Sequence, residues 1–181
     1  MKETMATNAH LAAVEARRAG QRWMLIFTRE LRHPPEAVWV ALTDPAQLEQ
    51  WAPFDADRNL GAVGQATLTM ADARGQMTDE TLPATITRAE RPRVLEYSWG
   101  DDLLRWELEA VGSGQRTHLT LSHTLDDRDL VPRMAAGWHV CLDVAERLLD
   151  GKPTGRIVAN DAKKHGWEAL RVAYEREMGD G

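Results

Sequence analysis

The chain has 181 residues, of which 28 are acidic and 22 basic, giving a net charge of −6. This length can bury one sizeable core but is short for two ordinary domains. The basic residues are scattered rather than clustered, so the charge pattern favours neither a nucleic-acid partner nor an anionic membrane surface. We therefore expect a single domain with extensions, no nucleic-acid partner and no membrane partner.

Two further features of the sequence bear on the cellular compartment of the protein. No stretch approaches the roughly eighteen uninterrupted apolar residues of a membrane span, and the N-terminus lacks the apolar core of a signal peptide. Cys141 is the lone cysteine, which excludes an internal disulfide and a cluster of thiolate metal ligands. We expect a cytoplasmic protein.

The N-terminal region is rich in alanine and in charged residues. Leu11 and Val14 are three positions apart, and Gly20 stands where a helix could end. We predict a short helix or a frayed tail over 9–20, and we treat 1–21 as an N-terminal helical extension.

Residues 24–51 combine a hydrophobic run with apolar residues at helical spacing. Pro34 and Pro35 end the first run and preset a helical turn. The pair Asp44-Pro45 then interrupts the helical pattern. The region predicts a strand followed by two short helices.

From 61 to 125 the pattern changes to alternation between apolar and polar residues, punctuated by turn residues. The glycine-rich segment 112–116 joins two such runs and indicates a hairpin. We predict an antiparallel meander with strands at 66–70, 84–88, 94–99, 103–111 and 117–125.

The period of two assigns the faces of these strands, because alternate residues point to opposite sides of a sheet. Arg105, Glu107 and Glu109 should face water. His123 is the odd member of an apolar row. The residues expected to face inward are Leu95, Tyr97, Trp99, Leu104, Trp106, Leu108, Thr117, Leu119, Leu121, His123 and Leu125.

A long helix is predicted over 132–149. Pro132 can start it, and Gly151 with Pro153 can end it. Its apolar stripe, which should close over the sheet, consists of Met134, Trp138, Cys141, Ala145 and Leu148.

A last helix is predicted over 160–178. Trp167, Leu170, Tyr174 and Met178 lie on one side of it, where they could pack on the domain or on a partner. We treat 153–181 as a C-terminal helical extension.

Several segments resemble one superfamily in their order along the chain. They are the run PEAVWVALTDP at 35–45, Trp51, RVLEYSW at 93–99 and GWHVCLD at 137–143. The chain resembles the SRPBCC, or START-like, superfamily, in the branch related to the C-terminal domain of the activator of the ninety-kilodalton heat-shock chaperone's ATPase. The resemblance implies a helix-grip α+β fold over 22–152, in which a curved antiparallel sheet wraps around a long C-terminal helix. It does not imply one function, since the superfamily includes lipid carriers, hormone receptors, cyclases and co-chaperones.

The sequence contains few motifs that indicate a metal or cofactor site. The six histidines form no metal-binding motif, and no glycine-rich phosphate loop is present. We therefore expect no metal and no cofactor.

His123 has two interpretations. It could act as a general base in an apolar pocket, with Tyr97 as a hydrogen-bond donor. The pattern favours a core histidine whose ring nitrogens bond a threonine hydroxyl or a backbone carbonyl. Cys141 is expected to be a buried, inert thiol because it lies in an apolar stripe.

Trp99, Trp106 and Trp138 could line a pocket or fill a core, and the resemblance to a cavity-forming fold favours a pocket. We therefore expect the protein to bind a hydrophobic or aromatic small molecule. The alternatives are a co-chaperone-like module with a chaperone partner and a cyclase- or hydrolase-type enzyme using His123. The last helix also allows a homodimer. The residues expected to bind the ligand are Leu95, Tyr97, Trp99, Trp106, Leu108, Leu119, Leu121, His123, Met134, Trp138 and Cys141.

Overall fold

The structure is a computed structural model that describes residues 11–72, 76–156 and 166–179. The described residues form eight strands and four helices. The strands are β1 (Ala13–Ala19), β2 (Arg22–Leu31), β3 (Phe54–Ala56), β4 (Gly64–Ala71), β5 (Met77–Glu90), β6 (Val94–Trp99), β7 (Asp102–Val111) and β8 (Arg116–Leu125). The helices are α1 (Pro35–Thr43), α2 (Pro45–Trp51), α3 (Leu130–Leu149) and α4 (Trp167–Met178).

All eight strands belong to one antiparallel sheet in the order β1-β2-β8-β7-β6-β5-β4-β3. The long helix α3 contacts β2 and both short helices, α1 and α2. This arrangement confirms the predicted helix-grip α+β fold. None of the described helices has both the length and the apolar character needed to cross a membrane.

The hairpin between β7 and β8 fixes the register of the central strands. Gly112 and Gly114 adopt φ values of 62° and 85° at its turn, a conformation that glycine reaches without steric cost. The register pairs Leu104 with His123 and Trp106 with Leu121. The inward residues predicted for these two strands are all buried, so the assignment of faces is confirmed.

The break between α1 and α2 has a clear local cause. The Asp44 carboxylate accepts a hydrogen bond from the Ala46 amide at 3.0 Å and so caps the start of α2, where Pro45 is the first residue. The Trp51 indole then donates to the Ala41 carbonyl at 2.8 Å, which ties the end of α2 back onto α1. The strand and two short helices predicted for 24–51 are confirmed.

The prediction of a helix over 9–20 was wrong. Ala13–Ala19 is a strand that pairs with β2, with Ala16 opposite Leu25. The helix propensity of alanine and arginine is worth only tenths of a kcal/mol per residue, and pairing with a long neighbouring strand overrides it. Residues 1–10, the remainder of the predicted helical extension, lie outside the described residues.

The last helix packs on the domain. Leu170 and Tyr174 of α4 are buried, and Trp167 and Met178 are partly buried against the core. The helix contacts α3 and β1. The one-sided apolar face is therefore confirmed over α4, whereas 160–165 lie outside the described residues.

A buried hydrogen-bond network joins α3, α4 and the segment before β1. The Tyr174 hydroxyl accepts from the Ala12 amide at 3.0 Å, and its oxygen lies 2.7 Å from Nδ1 of His139. The hydroxyl oxygen accepts from Ala12, so its own proton is free to be donated to Nδ1 of His139. The other ring nitrogen, Nε2, faces the Asp143 carboxylate at 3.5 Å and therefore carries the ring proton. Burial lowers the pKa of His139; the Asp143 carboxylate partly opposes this shift, and the nearby Arg29 guanidinium adds to it.

This network predicts a loss of stability in mild acid. Because the folded-state pKa of His139 lies below its ordinary value of 6.5, the unfolded chain takes up a proton first. The free energy of unfolding should therefore fall as the pH drops below the unfolded-state pKa, by up to about 1.4 kcal/mol per pH unit from this group. Urea denaturation between neutral pH and about pH 5 measures it.

The matched variants are His139→Asn, whose amide oxygen can still accept from Tyr174, and His118→Asn, at an exposed position of β8. His139→Asn should reduce the pH dependence of the free energy of unfolding, and His118→Asn should leave it unchanged. An identical pH profile for His139→Asn and the unaltered protein would contradict the prediction.

Candidate functional site

The inward face of the sheet carries a row of residues that runs across four strands. Leu25, His123, Leu104 and Tyr97 are register partners on β2, β8, β7 and β6. All four are buried, and His123 is 1% exposed. The imidazole therefore lies inside the protein between two leucines, as its place in the alternating pattern predicted.

Both nitrogens of His123 are hydrogen-bonded. The Trp138 indole Nε1 donates to Nδ1 at 3.1 Å, and Nε2 lies 3.1 Å from a carboxylate oxygen of Asp102. An indole can only donate, so Nδ1 is the acceptor and the ring proton sits on Nε2, directed at Asp102. The predicted partners, a threonine hydroxyl or a backbone carbonyl, were wrong. Their place is taken by an indole from α3 and a carboxylate from the start of β7.

Arg22 at the start of β2 holds the other carboxylate oxygen of Asp102. The same guanidinium bonds the Asp126 carboxylate at 3.0 Å and the Asp101 carbonyl at 2.7 Å. Burial raises the pKa of Asp102, but hydrogen bonds from His123 and Arg22 outweigh it and hold the pKa below its usual value. Asp102 is thus an anion at neutral pH, stabilised on both of its oxygens.

This geometry limits what His123 can do chemically. A general base uses the nitrogen that carries the lone pair, here Nδ1, and the Trp138 indole already occupies it. Tyr97 does not assist His123 as a hydrogen-bond donor, because strand β7 lies between the two residues. The Tyr97 hydroxyl oxygen instead accepts a hydrogen bond from Trp106 Nε1 at 3.3 Å. Burial raises the pKa of Tyr97, although the bond from Trp106 lowers it in part, so the hydroxyl stays neutral. In this arrangement His123 positions Trp138.

Aromatic rings surround this pair. Trp99 lies 5.6 Å from the His123 ring and 5.9 Å from Trp138, measured between ring centroids. Trp138 meets Trp106 edge to face at 5.4 Å, and Phe54 of β3 lies 5.5 Å from Trp99. Edge-to-face contacts of this kind add stabilisation to that gained from burying apolar surface. The aromatic cluster, defined as Trp51, Phe54, Tyr97, Trp99, Trp106 and Trp138, joins the sheet to α2 and α3.

Three side-chain polar atoms are buried without a hydrogen-bond partner among the described residues. They are the indole nitrogen of Trp99, the amide oxygen of Gln47 and Nε of Arg156. Buried polar groups are nearly always paired, and leaving one unpaired costs about 1–3 kcal/mol. Each of these three burials therefore carries a cost that a hydrogen-bond partner would remove.

Arg156, in the segment after α3, is a buried cation. Its side chain is 7% exposed, and its guanidinium pairs with Asp55 of β3. The same Nη2 group lies 3.3 Å from the Phe54 carbonyl oxygen and 3.4 Å from that of Leu48.

Burial raises the pKa of Cys141 to about 12, although the Arg156 charge lowers it in part, so this thiol stays protonated at neutral pH. Cys141 has the character of the inert thiol expected from the sequence.

All predicted ligand-binding residues lie on strands β6, β7 and β8 or on α3, and each is buried or partly buried. Trp99, His123 and Trp138 contact one another, and Trp106 contacts Trp138. Thr117 lies apart from them, since its hydroxyl donates to the His33 carbonyl at 2.7 Å near the other end of β8. The structure brings the residues together without testing whether they bind a ligand.

Sequence reasoning missed Asp102, Gln47 and Arg156. Asp102 shares its strand parity with Leu104, so the alternation contained the signal that its carboxylate faces inward. Arg156 follows α3 in a segment without periodicity, where no pattern could place it. Within the ranges that the structure describes, no three His, Cys, Asp or Glu side chains are grouped to hold a metal ion. His10 and His165 lie outside those ranges.

Many solved structures share this fold. A conserved protein of unknown function from Enterococcus faecalis, EF2215, superposes with a TM-score of 0.65 at 16% identity, covering 92% of each chain. CalU16 from Micromonospora echinospora gives 0.59 at 22% identity, covering 88% of this chain and 96% of its own. A protein from Rhodobacter sphaeroides gives 0.60 at 22% identity, covering 77% and 99%.

At these identities the structural likeness establishes the fold alone. No curated protein matches the chain. Residues 32–150 match the family described as activator of Hsp90 ATPase homolog 1-like protein, a region that runs from the end of β2 to the end of α3 and contains His123, Asp102 and the aromatic cluster. The chain therefore belongs to the family of proteins like the activator of Hsp90 ATPase homolog 1.

Proposed function

We propose that the protein binds a hydrophobic, aromatic small molecule between the sheet and α3, with the aromatic cluster as one wall of the site. The observation that carries this proposal is the indole proton of Trp99, which is buried and has no acceptor among the described residues. Buried tryptophans usually find a hydrogen-bond partner for this group. An oxygen atom on a bound aromatic molecule would supply it.

Tyr97 adds a second polar group on the same face of the sheet. Its oxygen accepts from Trp106, and its own proton has no acceptor among the described residues. Tyr97 and Trp99 are two residues apart on β6, so their side chains point to the same side. A mostly apolar site with a few placed polar groups is the usual composition of a small-molecule pocket.

The superfamily resemblance supports the same function, because carriers and receptors of apolar molecules use this fold. A co-chaperone role would be favoured by a large exposed apolar patch. Within the described residues, the only large hydrophobic side chains that are exposed are Val63 and Met77, at 66% and 41%. The described surface thus does not favour the co-chaperone alternative.

Replacing a ring of the aromatic cluster should weaken binding. Trp106→Leu removes aromatic contact area inside the proposed site, so the dissociation constant for acetylnaphthalene should rise about tenfold, equivalent to roughly 1.4 kcal/mol. Isothermal titration calorimetry, together with native mass spectrometry of the gently purified protein, measures this. Trp167→Leu makes the same change on α4 and should leave the affinity unaltered. Equal affinities for both variants and the unaltered protein would contradict the proposed location.

The positioning role of His123 is tested by stability. Asp102→Asn leaves one acceptor oxygen where two are needed, so either Arg22 or His123 loses its partner. The free energy of unfolding should fall by about 1–3 kcal/mol. Asp101→Asn, one residue earlier and exposed, is the matched control and should change it by less than about 0.5 kcal/mol. Urea denaturation compares the two, and equal losses would show that the bonds to Asp102 do not support the fold.

A further inference from the structure

We infer that two copies of this chain pair along the outer edge of β1 and so join their sheets into one. This interaction surface is distinct from the ligand site proposed above and does not depend on it. Within the described residues, β1 lies at one end of the sheet and has β2 as its only neighbour. Backbone groups of an antiparallel strand point alternately to its two sides, so the amides and carbonyls on the outer side of β1 have no strand partner among these residues.

β1 is a regular strand whose edge is suited to pairing. Its seven residues match seven consecutive residues of β2 without a bulge. It contains no proline and no lysine, two residues that commonly protect an edge strand. Arg18, which shares a side of the strand with Val14 and Ala16, lies over the Trp23 ring of its own chain at 5.0 Å from the ring centroid. The backbone of this edge is therefore open to a partner strand.

Two other surfaces that could join copies of the chain are less suitable. The opposite edge strand, β3, has only three residues, and Arg156 both pairs with Asp55 and bonds the Phe54 carbonyl there. Short strands and attached charged side chains hinder pairing at an edge. The apolar face of α4 is occupied within the chain, since its Leu170 and Tyr174 are buried. β1 is therefore the surface best suited to a second copy.

The charges on β1 are complementary to those of a second β1. Glu15 and Arg17 are two residues apart and lie on one face of the strand, where their side chains are 56% and 60% exposed and form an ion pair at 3.2 Å. When two β1 strands run antiparallel about a two-fold axis through Ala16, Glu15 of each copy stands opposite Arg17 of the other. Opposite charges in such positions stabilise the pairing of strands. The two-fold axis repeats the pair, so four alternating charges meet on one face.

The same charges select the register. A symmetric pairing that keeps the outer faces of the two sheets on the same side places the two-fold axis at a residue. An axis through Glu15 would set two carboxylates opposite each other, and an axis through Arg17 would set two guanidinium groups opposite each other. Like charges in these positions destabilise the pairing. The axis through Ala16 avoids both contacts, pairs all seven residues and places a small side chain at the axis.

Sedimentation velocity over a series of concentrations tests the inference on the full chain. The unaltered protein should form a species of twice the chain's mass as its concentration rises. Glu15→Arg and Arg17→Glu each replace the opposite-charge pairs across the interface with like-charge pairs, so each should raise the dimer dissociation constant by about tenfold or more. Both side chains are exposed, so both variants should remain folded, which circular dichroism verifies.

Two rescue experiments separate pairing between chains from the ion pair within each chain. The double variant Glu15→Arg/Arg17→Glu restores opposite charges in both places and should dimerise like the unaltered protein. An equimolar mixture of the two single variants restores them only between chains, so it should form heterodimers, which native mass spectrometry identifies by mass. Arg88→Glu is the matched control, because it breaks an exposed ion pair of the same spacing with Glu90 on β5. It should leave the dimer dissociation constant unchanged.

Each of three outcomes would overturn the inference. The first is a monomer at every concentration, whether because another segment of the chain or a strand of a different protein takes this edge. The second is a dimer that persists unchanged in both single variants, which would place the contact elsewhere on the molecule. The third is a mixture of the single variants that forms no heterodimers. None of these outcomes bears on ligand binding, which calorimetry measures separately.

Discussion

The hydrogen bond from Trp138 to His123 is the point on which the interior depends. It joins the middle of α3 to the central strands, and it fixes which nitrogen of the imidazole carries the proton. That proton is directed at Asp102, whose second oxygen is held by Arg22 at the rim of the sheet. A chain of polar contacts thus runs from α3 through the apolar interior to the surface. Moving any member leaves the next one unpaired.

Much of this arrangement was accessible from the sequence. Alternation along β7 and β8 placed Trp106 and His123 inward, and the apolar stripe placed Trp138 over them. What the pattern could not supply were the hydrogen-bond partners, because periodicity reports only the direction of a side chain. Asp102 stands at the first position of its strand, where a carboxylate is typical of a turn. Ala13–Ala19 has the composition of a helix, yet pairing across the sheet decided its conformation.

The interior combines large aromatic surfaces with charges that are neutralised within the protein. Arg156 and Asp55 form one balanced pair, and Arg22 with Asp102 forms another. Each of these two buried or partly buried arginines thus has its charge neutralised by a carboxylate within the protein. The solved structures compared above share this fold at 16–22% identity, so the fold tolerates wide variation in side chains.

The place of β2 in the sheet affects how the domain can be divided. β2 lies between β1 and β8 and buries Leu25 and Phe27 completely, yet all of it precedes the region 32–150 that matches the family. A fragment cut to that region would leave β8 as an open edge, with its backbone amides and carbonyls unpaired. Open edges of this kind recruit strands from other molecules. The unit recognised by sequence is thus smaller than the unit that completes the sheet, and exposure of the β8 edge is the physical consequence of cutting the chain there.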